Sequence, residues 1–127
     1  MSDFGKLLTA VITPFDNNGV LNTDTLWRLC KKLVHEKSDG LVLSGTTGES
    51  PNLTKEDRRI IYSTAIDSVG DKAKIIAGTG TYSTKESIEY TKMANDIGVD
   101  GIMIVTPYYS KPSQFGILKH FEEISKS

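Results

Sequence analysis

The sequence predicts an α/β fold in which short parallel strands alternate with amphipathic helices. Four short apolar runs, at residues 7–12, 40–43, 74–77 and 101–105, recur at similar spacing. Each is continuous and mostly β-branched or aliphatic, the pattern of strands covered on both faces. Each is also followed by a stretch with helical periodicity, which gives the order β-α-β-α-β-α-β-α. Short connections between such units imply right-handed parallel crossovers. Two architectures satisfy this order: a small doubly wound sheet, and half of a (β/α)8 barrel, whose full length is about 250 residues. On pattern alone the self-sufficient doubly wound sheet ranks first.

The first helix follows from Leu26, Leu29, Cys30, Leu33 and Val34, which fall at i, i+3, i+4, i+7 and i+8, with Asn22, Thr23 and Asp24 as candidate caps. In the second, Ile61, Ala65, Ile66 and Val69 form the stripe. Leu53 is a staple, Thr54 a cap, Asp57 sits where the helix dipole favours an acid, and Gly70 is the stop. In the third, Ser83-Thr84-Lys85-Glu86 reads as a capping box, Tyr90, Met93, Ala94 and Ile97 as the stripe, and Gly98 as the stop. Pro112-Ser113 opens the fourth, with Phe115, Leu118, Phe121 and Ile124 as its stripe.

Composition excludes several function classes. Fifteen basic residues against sixteen acidic ones leave a net charge of −1, so the basic footprint for nucleic acid or anionic lipid is missing. Cys30 is the single cysteine, which excludes an intrachain disulfide and a zinc ribbon and makes a reducing, cytoplasmic setting the default. No run approaches the roughly 18 apolar residues of a membrane helix. The segment Met1-Ser2-Asp3-Phe4-Gly5-Lys6 does not read as a secretory signal. A soluble protein without a membrane or nucleic-acid partner is expected, with residues 1–127 as one segment.

In both architectures ligands bind at the carboxyl ends of the strands. That singles out Thr13-Pro14-Phe15, Gly45-Thr46-Thr47-Gly48-Glu49-Ser50, Gly78-Thr79-Gly80-Thr81-Tyr82 and Thr106-Pro107-Tyr108-Tyr109. The second loop is the most informative. Glycine permits a sharp turn and close approach, loop N–H groups can hold a carboxylate or phosphate, and threonine hydroxyls can donate or relay a proton. The same threonines could instead only cap local backbone. The loop also repeats weakly, since Val42-Leu43-Ser44-Gly45-Thr46-Thr47-Gly48 parallels Ile76-Ala77-Gly78-Thr79-Gly80-Thr81.

A nucleotide reading fits poorly. Gly78-Thr79-Gly80-Thr81-Tyr82-Ser83 has Ser83 in place of the last glycine of G-x-G-x-x-G, and Asp100 precedes a strand rather than ending one. Tyr108 and Tyr109 suit either interface packing or proton transfer. His35 and His120 read as surface residues, Cys30 as a small buried hydrophobe, and Trp27 as packing. Lys111 lies near a candidate loop but outside any strand, a poor place for the desolvation that a Schiff-base lysine needs. No histidine pair or carboxylate cluster has metal-ligand spacing, and no cofactor is expected.

With Gly45-Thr46-Thr47-Gly48-Glu49-Ser50, Ala77-Gly78-Thr79-Gly80 and Thr106-Pro107-Tyr108-Tyr109 in this order and spacing, supported by Thr13-Pro14-Phe15 and His120-Phe121, the chain resembles the dihydrodipicolinate synthase family. The resemblance runs from about Leu7 onward and covers the N-terminal half of the family's usual length. It implies a parallel (β/α)4 half of a TIM (β/α)8 barrel. It also implies a class I lyase or aldolase in which a lysine forms a Schiff base with pyruvate. The enamine then attacks L-aspartate-4-semialdehyde, on the route to diaminopimelate and lysine. By position, Thr46 matches the proton-relay threonine, Thr47 the threonine that holds the pyruvate carboxylate, and Tyr109 the relay tyrosine that reaches into a neighbouring subunit's site.

The resemblance places the Schiff-base lysine on the sixth barrel strand and a further relay tyrosine near the fifth. Neither has a counterpart in these residues, so the chain is expected to be inactive alone. Open sheet edges and an uncovered inner face predict self-association, through those edges and the Tyr108-Tyr109 region. Two alternatives remain. One is a non-catalytic half-barrel assembly module. The other is a related pyruvate-dependent aldolase such as N-acetylneuraminate lyase, although Thr46-Thr47 and Tyr108-Tyr109 favour the dihydrodipicolinate branch. Some relatives are inhibited by lysine bound near Ser50, Glu86 and Tyr108. Here Lys55, Arg58 and Tyr82 stand where regulated relatives carry histidines and an asparagine, so feedback inhibition is not expected.

Overall fold

The computed structural model describes residues 3–127, so Met1 and Ser2, the start of the segment read for a secretory signal, lie outside the described residues. Strands and helices alternate: β1 Leu8–Ala10, α1 Thr23–His35, β2 Gly40–Leu43, α2 Lys55–Val69, β3 Lys74–Gly78, α3 Thr84–Ile97, β4 Gly101–Met103 and α4 Gln114–Ser125. A 3-10 turn, Ser50–Asn52, links β2 to α2. No helix is long and apolar enough to cross a membrane among the described residues.

The strands are parallel and lie in chain order, β1-β2-β3-β4. This order decides between the two architectures. A doubly wound sheet needs a point where strand order reverses, so that helices fall on both faces. Right-handed crossovers that always step in the same direction put every helix on one face. The sheet is therefore singly wound, half of a (β/α)8 barrel, and the doubly wound ranking is corrected.

Two-sided burial is corrected with it. Val11, Leu41, Leu43, Ile75 and Ala77 face the helices and are buried against Leu26 and Cys30 of α1, Ile61, Tyr62, Ala65 and Val69 of α2, and Ala94 of α3. The alternate residues line the other face. There Leu8, Ile12 and Met103 are 41%, 57% and 42% exposed, since no layer of the described residues covers them, whereas the central Ile76 is buried. Cys30 is a buried hydrophobe, as read, and burial pushes its thiol up to about 11, against a lowering backbone hydrogen bond.

Helix starts follow the cap residues. Asn22 accepts from the Thr25 N–H at 3.0 Å. Thr54 and Asp57 close a reciprocal box: the Thr54 hydroxyl accepts from the Asp57 N–H, and the Asp57 carboxylate accepts from the Thr54 N–H. The box expected at Ser83–Glu86 forms in one direction only. Ser83 accepts from the Glu86 N–H, but the Ser83 N–H is already given to the Thr81 hydroxyl at 3.0 Å. The α4 stripe is also corrected. Phe115 and Leu118 are exposed, whereas His120 and Ile124 are buried with Ile117 and Phe121 half-buried beside them. That set has the i, i+3, i+4, i+7 spacing, which fits a helix better than four residues at i+3.

Candidate active site at the strand exits

The exits of β2, β3 and β4 enclose a hollow of about 480 Å³ lined by Ser44, Gly45, Thr46, Ser50, Gly78, Gly80, Met103 and Tyr108, among others. It lies at the carboxyl ends of the strands, where this class of fold binds ligands. The Gly45–Ser50 stretch folds back on itself: the Glu49 N–H donates to Thr46 O at 3.1 Å and the Ser50 N–H to Gly45 O at 3.2 Å. Among the described residues, the N–H groups of Thr46, Thr47 and Gly48 have no backbone acceptor. A tight turn with successive N–H groups left over is a ready cradle for a carboxylate.

The walls are held from behind. The Thr13 hydroxyl donates to Gly48 O at 2.7 Å, which ties the β1 exit to the loop. A Cβ at Gly78 would lie 2.4 Å from Ser44 O, and one at Gly80 would lie 2.4 Å from the Val105 N. The two glycines that imitated a nucleotide fingerprint are thus used to let neighbouring strand exits touch. Thr79 and Thr81 are buried and spend their hydroxyls internally, on Thr91 and on the Ser83–Ser87 segment. Ser44, at φ +54°, buries a hydroxyl that finds no partner among the described residues.

Three residues support these walls in roles the sequence did not predict: Arg58, noted only for its place in a lysine site, Tyr62, and His120, noted only as a supporting segment and a surface residue. Arg58 is 2% exposed and donates to Gly78 O at 2.7 Å and to Ser50 O at 2.8 Å, with its guanidinium 4.6 Å from the Tyr90 ring centre. The Tyr62 hydroxyl donates to the same Gly78 O at 3.0 Å; burial pushes its pKa up, and the Arg58 charge pulls against that. His120, read as a surface residue, is 2% exposed. Its Nε2 lies 3.2 Å from Val105 O and donates there, and its Nδ1 is hydrogen-bonded to the Thr84 hydroxyl at 2.9 Å. It therefore pins the β4 exit to the start of α3. The available signals were positional. Arg58 continues the α2 stripe of Ile61, Ala65 and Val69, and His120 continues that of Phe121 and Ile124.

Of the residues singled out from sequence, Thr46 lines the hollow. Thr47 is exposed on the same turn, next to Thr46 but not in the wall. Tyr108 lines the hollow and packs edge-on against Tyr82, with ring centres 5.5 Å apart. Tyr109 is 98% exposed, at φ +69°, and does not line the hollow of its own chain. No lysine lines the hollow, and Lys111 is exposed in the loop beyond β4. His35 is exposed. Trp27 is 39% exposed, with Lys31 4.0 Å above its ring.

A family model, the dihydrodipicolinate synthetase family, matches residues 3–127. The chain belongs to this family. A curated relative, 4-hydroxy-tetrahydrodipicolinate synthase from Desulforudis audaxviator, is 50% identical over 125 residues, covering 98% of this chain and 42% of the relative. The structure of a dihydrodipicolinate synthase from Bacillus anthracis superposes with a TM-score of 0.95 at 43% identity, covering 99% of this chain and 43% of that one. The dihydrodipicolinate synthase of Acinetobacter baumannii, solved in complex with pyruvate, superposes with a TM-score of 0.94 at 35% identity, over 98% of this chain and 43% of that one. The chain thus spans somewhat under half the length of the family members that it matches, and it superposes on their barrels as one half.

Proposed function

We propose that these residues form the N-terminal half-barrel of a 4-hydroxy-tetrahydrodipicolinate synthase, the lyase that condenses pyruvate with L-aspartate-4-semialdehyde in lysine biosynthesis. The observation that carries this reading is the Gly45–Ser50 turn, whose unspent N–H groups stand beside Thr46 at the hollow. A small 2-oxo acid needs such a place for its carboxylate. On this reading the N–H groups hold that carboxylate, the Thr47 hydroxyl, exposed on the same turn outside the wall, joins them when the barrel closes, and Thr46 passes a proton to and from the reacting carbon centre. Tyr109, exposed and displaced from its own hollow, extends the relay into a neighbouring subunit.

The covalent step requires a lysine amine to displace water from the pyruvate carbonyl and form an imine. No lysine lines this hollow, which supports a nucleophile supplied from outside these residues. The half-barrel by itself then holds a carboxylate without turning it over. The open inner face and the unpaired edges of β1 and β4 support association, either of two copies or with the other half of a barrel. Cytoplasm is the compartment proposed, where the single buried thiol stays reduced.

Borohydride reduction in the presence of pyruvate tests the reading. The chain alone should gain no covalent adduct. The adduct should appear on the partner half once the two are mixed. An adduct on a lysine of this chain would contradict the proposed division of roles.

A further inference from the structure

We propose that Arg58 is a positioning residue whose buried, unneutralised charge makes the strand-exit hollow selective for an anionic ligand; this rests on the carboxylate reading above. Buried charges are ordinarily paired with an opposite charge, because removal from water is costly. Arg58 departs from that rule. It is 2% exposed, and none of the ion pairs among the described residues includes it. Its partners are two carbonyls and the face of Tyr90, all uncharged, and its Nε has no partner at all among the described residues.

The placement of those carbonyls gives the charge a direction. Gly78 and Ser50, which Arg58 holds, both line the hollow, so the guanidinium lies one peptide behind its wall. No acid lines the hollow itself. The acids on the neighbouring elements are exposed and engaged elsewhere: Glu49 is bonded to Asn52, Glu86 accepts from the Thr81 hydroxyl at 3.4 Å, and Glu89 is paired with Lys55 in solvent. A charge in a poorly polarisable interior is felt further than one in water. The fork geometry also ties the β2 and β3 exits together, which keeps the N–H cradle at a fixed distance from the opposite wall.

The test separates charge from packing. The amide spectrum of this chain is titrated with pyruvate and, separately, with uncharged pyruvamide, for the wild type, Arg58→Gln and Arg58→Lys. The wild type should prefer pyruvate. Arg58→Gln should lower that preference roughly three- to tenfold, with pyruvamide affinity unchanged. Arg58→Lys, which keeps the charge but not the fork, should retain the preference. A folded Arg58→Gln with the wild-type preference overturns the role of Arg58 and leaves the carboxylate reading standing. If Arg58→Gln does not fold, loss of preference in folded Arg58→Lys overturns it instead. A wild-type chain that binds neither ligand overturns both.

Discussion

The two faces of the sheet are built from similar residues and meet different fates. On the helix side, Leu41, Leu43, Ile75 and Ala77 are at most 1% exposed. On the other side, Leu8, Ile12 and Met103 keep about half their surface in solvent, and Ile76, on a central strand, is the buried exception at 8% exposed. Apolar content cannot account for the difference. Crossovers of one hand stepping in one direction send every helix to the same side. The bare face is therefore a consequence of topology, and it is the face that turns inward when a barrel closes.

Truncations on the two faces measure this contrast. Leu41→Ala should destabilise the chain by about 2–5 kcal/mol in urea unfolding, because it opens a cavity that its neighbours cannot fill. Leu8→Ala, measured at a dilution that keeps the chain monomeric, should shift stability by no more than about 0.5 kcal/mol. Equal losses would mean that the inner face is covered in solution. Met103→Asp sharpens the point, since it should leave monomer stability nearly unchanged while lowering self-association in sedimentation equilibrium. Self-association that survives this change would place the contact elsewhere.

The sequence carried the element order well. The caps at Asn22, Thr54 and Ser83 and the apolar stripes of α1 and α2 are local signals, and each helix begins within a residue or so of where they point. Strand order was not local. Continuous apolar runs suit a sheet covered on both sides and a barrel wall equally, so only the resemblance separated the two. The loops of the site were legible because Gly and Thr mark strand exits. Arg58 and His120 were not, since a charged or titratable side chain in the core is recognised by its partners. Those are the carbonyls of Gly78, Ser50 and Val105, brought together by folding.

Smaller effects refine the covered side. Thr54→Ala should cost about 1 kcal/mol, because both directions of its box are lost. Ser83→Ala should cost less, since its box closes in one direction only. At the uncovered edge, the Asp39 carboxylate accepts from the Leu7 and Lys6 N–H groups just before β1. Those bonds, with the Lys6 charge, hold its pKa below the usual carboxylate value against a raising desolvation. A depressed folded pKa gives stability that is present above the unfolded value of about 3.9 and is lost as pH falls through the folded one. The stability gap between wild type and Asp39→Asn should therefore close as pH falls through that window. A gap that persists below it would show that the carboxylate charge is not what secures β1.

Complementation tests the central claim most directly. The chain is mixed with a separately produced C-terminal half from a family relative, and pyruvate-dependent consumption of L-aspartate-4-semialdehyde is followed. Activity should appear only on mixing and should fall at least tenfold with Thr46→Val in an otherwise identical complex. A stable one-to-one complex without activity, or one in which Thr46→Val turns over as fast as the wild type, would contradict the assignment of the hollow.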